Sequence, residues 1–181
     1  MSKKWDNCRE VEAKSVEILR AWMLMRNPNA IISSLETECR ELTISLQAFG
    51  DWFVIHQGES FGRLYELKAE MKTTGNIFLE TWENRNNLKQ GWWQKCQAEW
   101  LYYHFLDSDT LLTVKMSRLR SMDRSSYQER KMEKYNSRGD VWGMLVPIDE
   151  VLKRAGGRIF HPKSELAEGN SVPEQVPLSN E

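Results

Sequence analysis

Long hydrophobic runs are missing from this chain of 181 residues. No stretch approaches the roughly 18 consecutive apolar residues a membrane helix needs, so no membrane span and no membrane partner are expected. The opening Met-Ser-Lys-Lys-Trp-Asp carries no apolar signal region, and a cytoplasmic location is expected from that. Cysteine is scarce. Cys8, Cys39 and Cys96 are odd in number, widely separated and without C-x-x-C spacing, which argues against a disulfide framework or a zinc site and leaves buried or half-buried thiols. The three histidines, His56, His104 and His161, are too scattered to form a metal cluster or to serve a nucleophile. A nucleophile elbow, a phosphate-binding glycine loop and an internal repeat are all lacking.

Net charge is also nearly absent, at -1, but it is unevenly distributed. Residues 36–66 hold six acids (Glu36, Glu38, Glu41, Asp51, Glu59, Glu66) against Arg40 and Arg63, a net of -4. Residues 114–138 hold eight bases (Lys115, Arg118, Arg120, Arg124, Arg130, Lys131, Lys134, Arg138) against Asp123, Glu129 and Glu133, a net of +5. An acidic centre flanked by a basic arm suits metal-dependent work on a polyanion, because phosphate contacts supply most sequence-independent affinity. A solvated helix is the plain alternative for the basic stretch. With 40% hydrophobic residues, the chain can bury about 70% of its unfolded surface around one core.

The centre of the sequence is the run from Phe49 to Glu83. Asp51-Trp52-Phe53-Val54-Ile55-His56 is β-branched and aromatic, and it ends at Gln57-Gly58-Glu59-Ser60, where glycine supplies a turn. The following run, residues 61–69, pairs with it as an antiparallel hairpin. A loop of Gly58-Glu59 sets Asp51 opposite Glu66. Glu66 and Lys68, two apart on a strand, project from the same face, and directly opposed residues share that face with Cβ atoms about 4.5–5.5 Å apart. Two carboxylates and an ammonium therefore converge, which suits metal-assisted phosphodiester hydrolysis: Mg²⁺ is held by one or two carboxylates plus substrate phosphate, and a neighbouring cation serves the attacking water or the transition state. The plain alternative is a cross-strand ion pair on a solvated face, worth about 0.2–1 kcal/mol. Acid-x-Lys recurs at Glu12, Glu70 and Glu129. Glu12 and Glu129 lie in helix-like stretches without a strand-borne Asp upstream, whereas Glu70 shares the parity of Glu66 but lacks the register with Asp51.

Asp51, fourteen intervening residues and then Glu66-Leu67-Lys68 across a hairpin resembles the PD-(D/E)XK nuclease superfamily, over roughly residues 9–122. Gly50 stands where that motif has proline. The resemblance implies an α/β (α+β) restriction-endonuclease-like core: a mixed four- to five-stranded sheet flanked by helices, with the Asp opening the second strand and the Glu-x-Lys on the third. It implies a single nuclease-like domain over residues 1–161 and Mg²⁺ (or Mn²⁺) held by Asp51 and Glu66, with Lys68 assisting. It also implies a helix acid near the metal, among Glu10, Glu12 and Glu17, and a polar residue near the scissile phosphate, among Gln94, Lys95 and Gln97, of which Gln97 is the choice. The partner is DNA, with branched and single-stranded forms both open, and a homodimer would permit double-strand cuts. A catalytically inactive nuclease-fold protein that binds nucleic acid or a protein is the alternative.

Elsewhere, helical spacing is read over residues 9–25, 92–105 and 117–135, with a short helix at 150–155. Residues 30–39 are a short helix or a loop. Strands are read at 41–47, 76–82, 110–116, 141–148 and 158–160. Arg85 and Lys89 fall in a polar loop near the substrate and join Lys95, Lys115, Arg118 and Arg120 as nucleic-acid contacts. Trp5, Trp52, Trp82, Trp92 and Trp142 border element ends, where an indole stacks on a base or packs in the core. Residues 162–181, rich in Pro, Ser, Asn and Glu, are read as a disordered tail.

Overall fold

The computed structural model describes residues 3–35, 49–132 and 140–169. Helix α1 (Lys3–Arg26) presents Leu19, Trp22 and Met23 inward at helical spacing and stops before Asn27-Pro28, with the Asn27 N–H closing on the Met23 carbonyl at 2.9 Å. Strands β1 (Ile31–Ser34), β2 (Trp52–Ile55) and β3 (Arg63–Glu70) follow as an antiparallel set. The chain then builds β4 (Asn76–Asn84), β5 (Lys89–Gln90) and the one-turn helix α2 (Trp92–Lys95) before it returns as β6 (Trp100–Phe105), parallel to β3. A parallel pair requires such a crossover. Then come β7 (Thr110–Lys115), α3 (Met116–Ser121), β8 (Arg130–Lys131), β9 (Trp142–Pro147), α4 (Ile148–Ala155), β10 (Arg158–Phe160) and α5 (Pro162–Ala167).

Two sheets result: a six-stranded mixed sheet in the order β1-β2-β3-β6-β7-β10, and a four-stranded antiparallel sheet in the order β5-β4-β9-β8. The two faces of the larger sheet carry separate cores, as the two-residue period of a strand requires. On one face Tyr65, Leu67, Tyr102 and Leu111 pack under α1, joined by Phe160 and Leu166. On the other, Leu101, Tyr103, Phe105, Leu112 and Val114 meet Ile77 and Leu79 of β4, Val146 of β9, and Met116, Leu119 and Val151 of α3 and α4. The described layers are therefore helices, large sheet, and small sheet with short helices.

Several expectations need correction. The main sheet has six strands, beyond the four to five expected, and a second sheet accompanies it. Residues 92–105 are not one helix: α2 spans four residues, Cys96 to Glu99 is extended chain, and β6 takes the rest. β6 is buried on both faces, so its sequence Trp-Leu-Tyr-Tyr-His-Phe shows neither alternation nor a polar stripe to separate strand from helix. The basic helix read over 117–135 is only α3, which starts at Met116, while Arg130 and Lys131 form an edge strand. Residues 31–34, left between helix and loop, are the edge strand β1. The tail reading fails for residues 162–167, which form α5: Trp22 Nε1 and Arg26 reach Glu165 at 2.7 and 2.9 Å and dock it on α1. The strand read at 41–47, Cys39, the bases Lys134 and Arg138, and the tail from residue 170 onward lie outside the described residues.

Candidate functional site

The hairpin keeps the expected register. Trp52 pairs with Tyr65, Phe53 with Leu64 and Val54 with Arg63, so the next position in the series sets Asp51 across from Glu66. The loop is wider than the two residues expected and covers residues 56–62. Its turn is closed by the Glu59 N–H on the His56 carbonyl at 3.0 Å, with Gly58 at φ 81°. Asp51 lies one residue outside β2. Its N–H binds the Tyr65 carbonyl at 2.8 Å, and its Oδ2 accepts the Leu67 N–H at 2.7 Å. The side chain thus replaces one rung of the ladder. Gly50, where the motif has proline, sits at φ 124°, and a Cβ there would lie 2.7 Å from the Tyr65 carbonyl oxygen. Only glycine allows this approach of the backbone beside Asp51.

Glu66 is 3% exposed, which overturns the solvated-face alternative. Its Oε1 pairs with the Lys68 ammonium at 2.5 Å, and its Oε2 accepts the Cys96 thiol at 3.3 Å. Burial raises the Glu66 pKa, Lys68 pulls it down, the Asp51 charge pushes it up, and the net shift is upward. For Lys68, burial favours the neutral amine, but Glu66 and then Asp51 outweigh it, and the pKa rises. Lys68 therefore remains an ammonium at neutral pH. Its Nζ also lies 5.3 Å from the centre of the Trp92 ring.

Two members of this group were not picked out by the sequence reading. Cys96 was read only as a thiol on a core helix, and Trp92 only as an element-end aromatic; both depend on α2 ending at Lys95, which the helix reading hid. Burial and the neighbouring Glu66 charge push the Cys96 thiol up to about 12. Of the three helix acids, Glu12 is the one whose charge raises Lys68, while Glu17 lines a hollow with Lys14, Ile18, Met71, Leu106 and Lys163. Glu70, the rival to Glu66, accepts the Tyr103 hydroxyl at 2.5 Å, and Glu129, read as helical, lies outside any helix beside Thr81 and Arg85.

Gln97 is exposed and lies on the extended segment before β6 rather than on a helix. Lys89 and Lys95 both bind Glu83, at 2.7 and 3.8 Å. Arg85 stacks over Trp142 at 4.3 Å and pairs with Glu129 at 3.6 Å. Arg118 packs against Gly156 at the end of α4, whereas Arg120 donates to the Cys96 carbonyl and lies 5.6 Å from the Trp93 ring centre. Lys115 approaches the Trp100 ring centre at 5.7 Å. Trp52 and Trp93 are core residues, while Trp82, Trp92, Trp100 and Trp142 are half-buried. No helix of the described residues is long and apolar enough to cross a membrane.

Compared with known proteins, the chain matches no family model, no curated protein and no solved structure.

Proposed function

We propose that this chain is a metal-dependent nuclease of the PD-(D/E)XK type that hydrolyses DNA phosphodiester bonds. The observation that carries the reading is the opposition of Asp51 and Glu66 across β2 and β3, with the Lys68 ammonium on the same face as Glu66. The strand order supports it: a helix, three antiparallel strands and a fourth strand parallel to the third follow the sequence of elements in that superfamily's restriction-endonuclease-like core. The chain departs from the pattern in its crossover, which holds two strands of the second sheet, β4 and β5, and the short α2 in place of one longer helix.

The donor set fits Mg²⁺ or Mn²⁺. Asp51 and Glu66 offer hard carboxylate oxygens, and such ions take one or two carboxylates with water and phosphate completing the shell. Asp51 and Glu66 would be the protein's ligands; among the described residues no group of three or more His, Cys, Asp or Glu side chains is arranged to hold an ion. When bound, the ion would polarise the phosphate and acidify a water. Leu67 N–H fixes the Asp51 carboxylate, and the Cys96 thiol fixes one oxygen of Glu66. Lys68 neutralises Glu66 before substrate arrives. Its ammonium would donate a hydrogen bond to water or to a phosphoryl oxygen.

The test is incubation of the purified chain with plasmid, linear, single-stranded and branched DNA in Mg²⁺ or Mn²⁺. Cleavage should fall at least about a hundredfold in Glu66→Gln and in Lys68→Met. Cleavage that survives both changes removes the site. Salt-sensitive DNA binding without turnover on any substrate would instead establish the catalytically silent alternative.

A further inference from the structure

A hollow of about 350 Å³ opens where β6 begins and β7 passes into α3, lined by Ala98, Glu99, Trp100, Lys115, Met116, Ser117 and Arg120. It lies at the same end of the large sheet as the acidic site, with Trp100 and Lys115 on the face of Tyr65 and Glu66 on the opposite face, and two contacts link the two places. Ala98 forms part of its wall, and the Ala98 Cβ lies 3.1 Å from where a Gly50 side chain would start, one residue from Asp51. Arg120 donates to the carbonyl of Cys96, whose thiol holds Glu66. The lining combines a half-buried indole, an ammonium, a guanidinium, a hydroxyl and one carboxylate. An aromatic wall with two cations suits a nucleotide, and the volume suits one base with its phosphate. A base can enter such a hollow only when it is out of the double-helical stack.

We propose that this hollow receives an unpaired nucleotide of a DNA strand that rounds the end of the sheet from the acidic site, with its base against Trp100 and its phosphate between Lys115 and Arg120. The chain then selects single-stranded or frayed DNA over intact duplex. Ser117 and Glu99 offer polar edges to the base or sugar. This rests on the nuclease reading for the identity of the ligand, but not on turnover.

The experiment measures binding of a labelled oligothymidylate, and of its duplex with oligoadenylate, to the full chain in EDTA by fluorescence anisotropy. The wild type should favour the single strand by about tenfold or more, the scale of one stacked base. Lys115→Gln, at a half-buried position, and Ser117→Glu, at an exposed one, should each weaken single-strand binding several-fold, and Trp100→Leu about tenfold, leaving duplex binding nearly unchanged. The proposal is overturned by equal affinity for the two forms, by no binding of either, or by Lys115→Gln and Ser117→Glu within about twofold of wild type. Loss of cleavage in Glu66→Gln with retained single-strand preference separates the two sites. Cleavage without that preference removes the hollow's role and leaves the nuclease reading intact.

Discussion

Asp51 Oδ2 accepts the Leu67 N–H at 2.7 Å, so the acid that precedes β2 is tied to the strand between the two functional residues of β3. This bond gives Asp51 a structural task that can be separated from its chemical one. Asp51→Asn keeps an acceptor oxygen and should fold like the wild type while losing cleavage. Asp51→Ala leaves a backbone donor unpaired and should also cost about 1–3 kcal/mol. Thermal unfolding alongside the cleavage assay distinguishes the two variants.

Removing the partner of a buried carboxylate has a defined pH dependence. In Lys68→Met, Glu66 loses its main lowering influence, and its already raised pKa climbs further from the ordinary 4.5. A raised acid pKa means that stability is intact below the unfolded value and is lost as pH rises through the folded one. The variant should therefore be weakened by about 3 kcal/mol at neutral pH and recover as pH falls toward 4.5. Adding Glu66→Gln should restore stability at pH 7 without restoring cleavage. Denaturant melts across pH read this directly.

Cys96 acts through Glu66. Its thiol donates to the carboxylate and helps lower that group's pKa, against the larger effect of burial. Cys96→Ala should move the acid limb of the pH–rate profile upward, while Cys96→Ser, which keeps a donor, should hold it nearer to wild type. A purely structural cysteine would lower stability in both variants and leave the limb in place. With its pKa at about 12, the thiol should also alkylate slowly in the folded protein.

A second buried network predicts acid sensitivity away from the site. Ser15 Oγ lies 3.0 Å from Nδ1 of the fully buried His104, whose Nε2 is 3.7 Å from Asp109. Burial lowers the His104 pKa, with Asp109 opposing it and Lys163 adding to it. A depressed histidine pKa gives stability that is complete above its ordinary 6.5 and is lost as pH falls through the folded value. His104→Gln should flatten the decline in stability below that point, as measured by thermal melts.

The sequence made the β2–β3 register legible because it rests on local chemistry: a β-branched run, a glycine turn and parity along Glu66-Leu67-Lys68. The offset survived a longer loop because Trp52 and Val54 must face the same core as Tyr65 and Leu67. β6 was not legible. Tertiary burial on both faces erased the alternation that marks a strand, and the aromatic run through Trp100 passed for a core helix. Cys96 went unnoticed for the same reason, since its approach to Glu66 depends on where that strand begins. The second sheet was missed as an assembly although β4 and β9 were both read as strands, because pairing between elements far apart in sequence leaves no local signal.

The most direct measurement is anomalous diffraction from crystals of the chain soaked in Mn²⁺. The expected result is a peak bound by carboxylate oxygens of both Asp51 and Glu66 at about 2.0–2.3 Å, absent in Glu66→Gln crystals. A peak at other residues, or none at this pair in protein that cleaves DNA, would contradict the assignment.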